Sequence, residues 1–255
     1  MFIDQIKNCI ELGRKGISKG IPSFCTANRD CIEAILQHYV QKDCSVLIEA
    51  TSNQVNQFGG YTGLNPETYR EMVYAIADRI GFERNRLMLG GDHLGPLPWG
   101  FMCEQEAMQN AKQLVYDFVK AGYEKIHLDT SVKLADDVEL SDGTIARRGV
   151  ELYKEAMKAL DDRNSNGKEA KKPAFIIGSE VPPAGGNQNG EPVTVTTSDS
   201  FKHTVDAYKT EFSDAGFRDA FDSIVAVVVQ PGVEFGLESV KNYNRKEAKP
   251  LVESL

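Results

Sequence analysis

Six short apolar runs punctuate this chain at nearly regular intervals: IPSFCTA (21–27), SVLIEATS (45–52), RLMLGGDH (86–93), KIHLDTS (125–131), AFIIGSEVP (174–182) and SIVAVVVQPG (223–232). Helical patterns lie between them. Asn65-Pro66-Glu67 sets a capping residue before a proline at the first helical position, apolar residues follow at Met72, Ala75, Ile76 and Ile80, and Gly81 ends the run. The segment 104–121 gathers Ala107, Met108, Ala111, Leu114, Val115, Phe118 and Val119 on one face and closes at Gly122. Strand then helix, repeated in this way, dictates a parallel α/β sheet.

Two architectures satisfy that alternation. A doubly wound dinucleotide-binding sheet calls for a glycine-rich phosphate turn after its first strand, where this chain has PSFCTANRD instead. The strands also carry polar residues at alternate positions, as a barrel interior would. Glu49, Thr51 and Asn53 share one face, and so do His127, Asp129 and Ser131. The expected fold is therefore a (β/α)8 TIM-barrel type, one domain over 1–255, with about six of the eight βα units. Its C-terminal mouth would collect Glu49, Asn53, His93, His127, Asp129 and Glu180. The last twenty residues are expected to give one helix and no strand. A six-unit sheet would expose two edges and favour self-association.

Charge and cysteines narrow the function. With 29 basic and 37 acidic residues, a net of −8, and no long basic run, neither nucleic acid nor an anionic membrane is an expected partner. Five cysteines without a CxxC spacing point to a reduced cytoplasm. The first sixteen residues mix charge with apolar positions, unlike a signal peptide, and no stretch is apolar enough to span a membrane. No P-loop is present.

The sharpest local feature is LMLGGDHLGPLPWG (87–100), an apolar strand ending in Asp92 and His93. Neighbours in a strand point to opposite faces, but glycines at a strand end let both reach one place. A metal-bound histidine beside a proton-moving carboxylate serves enolate and aldol chemistry; the alternative is a simple turn cap. His127 reads as an interior histidine bonded to Asp129 or Glu49, or else as a second ligand. Glu180, before a loop of prolines and glycines, reads as a ligand or proton carrier. His38 and His203 sit in helical patterns and suggest no chemistry, while Cys25 ends the first strand without a basic neighbour. In LIEATSNQVNQFGGYTG (47–63), Glu49 and the amides Asn53, Gln54, Asn56 and Gln57 are candidate substrate-binding groups for sugar hydroxyls or a phosphate, or a loop bonded to itself.

At LIEATSNQVNQFGGYTG, GGDHLGP, KIHLDTS, GSEVPPAGG and VVQPGVEF the chain resembles the GatZ/KbaZ family, in order from about residue 16 onward. The resemblance implies a zinc-dependent class II aldolase barrel in which Asp92 matches the proton-transfer carboxylate, His93 a zinc histidine and Glu180 a glutamate near the metal. Two further zinc histidines are expected. One falls where Val229-Gln230-Pro231-Gly232 stands, and the other on a seventh strand. With one of three imidazoles matched, the family's role as a chaperone-like, non-catalytic subunit is implied. It would support a catalytic class II D-tagatose-1,6-bisphosphate aldolase subunit in galactitol or N-acetylgalactosamine breakdown. The alternative is a metal-dependent ketose-phosphate lyase or 4-epimerase using retro-aldol chemistry. Family members are longer, so the chain looks like the N-terminal part of one.

Overall fold

The computed structural model describes residues 2–165, 170–178, 194–235 and 240–254. Six strands, β1 (Ser23–Cys25), β2 (Val46–Thr51), β3 (Leu87–Leu94), β4 (Lys125–Leu128), β5 (Ala174–Ile177) and β6 (Ile224–Val227), form one parallel sheet in the order β1-β2-β3-β4-β5-β6. Each strand pairs with its predecessor in sequence. A doubly wound sheet reverses its order at a switch point, so this succession is that of a (β/α)8 barrel with six units in place. β1 and β6 are the two ends of the sheet.

Helices α2 (Arg29–Tyr39), α3 (Pro66–Ile80), α4 (Glu104–Ala121), α5 (Asp142–Asn164) and α6 (Ser198–Asp214) follow β1 to β5 in turn. Local chemistry sets their ends. The Asn65 side chain accepts from the Thr68 N–H at 2.9 Å, Thr68 Oγ1 accepts from the Asn65 N–H at 3.0 Å, and Pro66 follows the cap. Gly81 and Gly122, both left-handed, close α3 and α4. The main core lies between sheet and helices, where Ile48, Leu89, Ile126 and Phe175 meet Leu114, Phe118 and Tyr153.

A smaller core occupies the other face of the sheet at its N-terminal end. Helix α1 (Phe2–Arg14) is amphipathic and lies across that end. Gln5 donates to Ser45 Oγ at 2.8 Å, the Phe2 N–H to Glu124 Oε2 at 3.0 Å and Lys7 to the Asp222 carbonyl at 3.2 Å, linking the approaches to β2, β4 and β6. Phe2 packs with Leu47, Met88 and Ala174. The bottom of the barrel is thus closed with hydrocarbon, which leaves the polar interior residues to the other end.

At that other end, fully buried Arg148 on α5 takes both oxygens of Asp137 at 2.6 and 2.9 Å and Glu104 Oε2 at 2.7 Å. The loop after β4 is tied in this way to the start of α4. The last twenty residues depart from expectation: Val240–Lys241 (β8) pairs antiparallel with Glu234–Phe235 (β7) before helix α7 (Arg245–Val252). The Asn244 side chain caps α7, and the charged, asparagine-rich stretch before it hides a two-residue antiparallel bridge.

Phe2→Ala should lower unfolding free energy by about 3 kcal/mol in urea titrations, by loss of the plug's largest side chain. Val138→Ala, at 94% exposure, should change it by less than about 0.5 kcal/mol.

Candidate functional site

The C-terminal end of β3 breaks the regular strand. Its register against β4 shifts between Gly91 and Leu94, and among the described residues His93 is the one non-glycine with positive φ, at 47°. This bulge answers how two consecutive residues serve one site. Ser52 Oγ donates to the His93 carbonyl at 3.1 Å and the His93 N–H points to His127 Nδ1 at 3.2 Å, fixing the unusual peptide from both sides. The Asp129 N–H then bonds the Leu94 carbonyl at 3.0 Å. At Gly95 a Cβ would lie 1.6 Å from the Asp129 carbonyl oxygen, so the strand-to-loop crossing demands glycine.

Asp92, His93 and His127 each offer a ligand atom within 4.8 Å of the others. Both rings are oriented by outer partners. His93 Nδ1–H donates to Asp129 Oδ2 at 2.6 Å, which leaves its Nε2. His127 Nε2–H donates to the Gly178 carbonyl at 2.7 Å, which leaves Nδ1 as the acceptor that meets the His93 N–H at 3.2 Å and lies 3.5 Å from Asp92 Oδ1. An acceptor behind each imidazole is the usual support of a metal-binding histidine, and two imidazoles with one carboxylate oxygen suit a zinc-like divalent ion. The residues therefore fit the metal that the family resemblance implies. His127 was expected to bond Asp129 or Glu49; instead it bonds the Gly178 carbonyl, because Asp129 is taken by His93.

Below this trio lies a charged pair that sequence reading missed. In the strand register Glu49, Gly90 and Lys125 stand side by side on β2, β3 and β4. Gly90 has no side chain, and a Cβ there would come within 3.0 Å of Glu49 Cγ. Through that gap Lys125 Nζ donates to Glu49 Oε2 and, at 2.9 Å, to Asp92 Oδ1, while Ser23 Oγ donates to Glu49 Oε1. Burial favours the neutral amine, but the two carboxylates outweigh it and hold the Lys125 ammonium above its ordinary range. Burial likewise pushes Asp92 up. The His127 contact and the charges of Lys125 and His93 win, and its carboxyl stays well below the usual range. The bond to Asp129 raises His93. The signal for Lys125 was parity: it shares a strand face with His127, but lysine at the head of a strand passes for a solvated charge.

Glu49 was expected at the mouth, yet its carboxylate is buried beneath it and engaged by Lys125 and Ser23. Of the four amides, Asn56 donates to the Ser52 carbonyl at 2.9 Å and accepts from the Phe58 and Gly60 N–H groups at 2.9 and 3.0 Å. Gln54 Oε1 accepts from the Thr51 N–H at 2.9 Å, and Gln57 donates to the Asn110 carbonyl at 3.0 Å. These three knit the loop, whereas the Asn53 side chain makes no such bond among the described residues. Cys25 donates toward Gln54 Oε1 at 3.9 Å, and burial together with Asp92 and Glu49 pushes its thiol up, away from a nucleophile. His203 is exposed on α6, and His38 on α2 accepts from Lys42. Glu180 lies outside the described residues. Gln230, where a zinc histidine is expected, turns Oε1 back to the Gly232 and Val233 N–H groups at 2.8 and 3.1 Å. Among the described residues no helix is long and apolar enough to cross a membrane.

Against known proteins, the pattern of the family described as "D-tagatose-1,6-bisphosphate aldolase subunit GatZ/KbaZ-like" matches residues 6–255. Curated relatives include the D-tagatose-1,6-bisphosphate aldolase subunit GatZ of Escherichia coli strains K12 and O139:H28, each 40% identical over 250 residues. Those alignments cover 97% of this chain and 58% of the relative, so the chain spans a little over half their length. A crystal structure of a probable tagatose 6 phosphate kinase from Sinorhizobium meliloti 1021 superposes with a TM-score of 0.80 at 41% identity, covering 92% of this chain and 55% of the other.

Gly95→Ala should destabilise by about 3 kcal/mol, since backbone must move to admit the methyl group. Gly143→Ala, in the first turn of α5 with only Ser141 Oγ near at 3.8 Å, should instead be neutral or stabilise by up to about 1 kcal/mol. Thermal and urea unfolding would compare the two.

Proposed function

Because the chain belongs to the GatZ/KbaZ-like family of D-tagatose-1,6-bisphosphate aldolase subunits, we propose that it acts in ketose bisphosphate breakdown as a cytoplasmic supporting subunit. Its partner would be a catalytic class II aldolase subunit, whose activity and stability it sustains. Gln230 carries this reading. The position after β6 at which the resemblance expects a zinc histidine holds an amide committed to its own turn, so a three-imidazole centre lacks that member.

A second reading rests on His127. It supplies from β4 an imidazole that the expected set does not include, and with Asp92 and His93 it makes three protein groups, the number a catalytic metal keeps. A divalent ion held there would supply polarisation of a ketose carbonyl. Asp92, kept ionised by Lys125, would serve as the carboxylate ligand, and Glu180 would carry the proton of an adjacent sugar hydroxyl. Asn53, whose side chain makes no hydrogen bond among the described residues, would hold substrate. The chemistry would be retro-aldol cleavage or 4-epimerisation of a ketose phosphate.

The readings separate in two assays. With the catalytic aldolase subunit added, the supporting role predicts that wild type and His93→Ala raise tagatose-bisphosphate cleavage and lengthen its half-life alike; no enhancement by either would refute it. With the metal-loaded chain alone, the enzymatic role predicts ketose-phosphate turnover that Asp92→Asn lowers by about 10²–10⁴-fold, and absence of any turnover would refute it.

A further inference from the structure

The candidate metal site already contains a cation. Lys125 is 7% exposed, and its ammonium bonds Glu49 Oε2 and Asp92 Oδ1 across the gap at Gly90. A buried ammonium is held only against a desolvation penalty that its partners must offset, and apolar residues in place of the whole charged group would fill the same space without it. The sheet does not need it either, since β4 is registered by backbone bonds on both sides. Its effect falls on the two carboxylates.

We propose that Lys125 is a positioning residue that fixes which atoms the metal centre can offer, and so confines it to nitrogen-preferring ions such as zinc or cobalt. This rests on the metal site of the second reading above. Asp92 Oδ1 is held by Nζ, so Oδ2 is the one oxygen of Asp92 that Lys125 leaves to a metal. Glu49 is taken at both oxygens, by Lys125 and by Ser23. What remains beside Oδ2 is the pair of imidazoles, each pinned from behind by an acceptor: His93 through Nε2, and His127 through Nδ1, which meets the His93 backbone N–H at 3.2 Å and would exchange that contact for the metal. Such a set is poor in oxygen and suits zinc-like ions, whereas magnesium and calcium demand mostly oxygen ligands. Two carboxylate oxygens close enough to share one ammonium are close enough to share one divalent ion. Without Lys125 the same pit would present Glu49 and both oxygens of Asp92, an anionic, oxygen-rich site that admits hard cations.

Cobalt(II) titration followed by visible absorption, with calcium as competitor, tests this on the whole chain. Wild type should bind cobalt with the intense band of a four- or five-coordinate ion, His93→Ala should lose it, and millimolar calcium should leave the wild-type band unchanged. Lys125→Met should bind cobalt with a weakened band, as coordination rises toward six, and calcium should compete at least about tenfold better than with wild type. Lys125→Met/Glu49→Gln, which removes both charges of the pair, should return toward the wild-type preference. Should Lys125→Met fold only with added ions, recovery of a cooperative melt by calcium supports the inference and failure to recover overturns it. A Lys125→Met protein with the wild-type band and wild-type indifference to calcium overturns the role of Lys125 and leaves the metal centre standing. Absence of His93-dependent cobalt binding in wild type overturns both.

Discussion

One buried ammonium shared by two carboxylates organises the interior of this barrel. Lys125, Glu49 and Asp92 come from β4, β2 and β3, and the first two meet only because Gly90 leaves the space between them open. Breaking such a group costs about 3–5 kcal/mol, because the remaining charges stay buried. Every neighbour is accordingly constrained. Ser23 must satisfy the other oxygen of Glu49, Gly90 must stay without a side chain, and Asp92 is held ionised with Oδ1 bonded by Lys125. The interaction also divides the interior in two. Beneath it lie Phe2, Leu47, Met88 and Ala174, and above it lie the imidazoles.

The bulge at His93 is the second constraint. A histidine at φ 47° stores strain of order 1–3 kcal/mol, which persists only where surroundings over-determine it. Ser52, His127, Asp129 and the close passage at Gly95 do so here. The strain has a geometric return: Asp92 and His93, which a regular strand would send to opposite faces, work on one.

The parts of this fold that sequence made legible are those set by local chemistry. Alternation of apolar runs gave six parallel strands in order, and Asn65-Pro66, Gly81 and Gly122 marked helix ends that are capped as their residue types require. Asp92 and His93 stood out because glycines beside a charged pair at a strand end are costly without a purpose. What escaped depends on contacts distant in sequence. Lys125 looks like a solvated strand head until Gly90 and Glu49 stand beside it, 35 and 76 residues away in the chain. Helix α1 reads as an amphipathic surface helix, and nothing local says that Phe2 closes the barrel floor. The partner of His127 depends on Asp129 already being engaged. The amide-rich loop could be read either as a binding surface or as its own scaffold. Asn56, Gln54 and Gln57 take the second part, because the Thr51, Phe58 and Gly60 N–H groups find their acceptors, and the Ser52 and Asn110 carbonyls their donors, in these amides.

The distribution of polarity bears on the two functional readings. Barrel interiors are ordinarily filled in layers by branched apolar side chains, which is the cheapest way to hold a sheet curved. A subunit whose only task were to present an outer surface would gain nothing from replacing those layers with Glu49, Lys125, Asp92 and His127. Here the polar residues lie above a floor that Phe2, Leu47, Met88 and Ala174 keep in hydrocarbon. Each charge is also fixed rather than merely tolerated: the carboxylates are bonded at stated oxygens and the rings at stated nitrogens. Fixed charge facing an opening is the arrangement that binding requires and that scaffolding does not. The supporting role and a working site therefore answer different observations, Gln230 for the one and the ordered interior for the other. A subunit that steadies a partner while holding a metal or a sugar phosphate in its own mouth satisfies both.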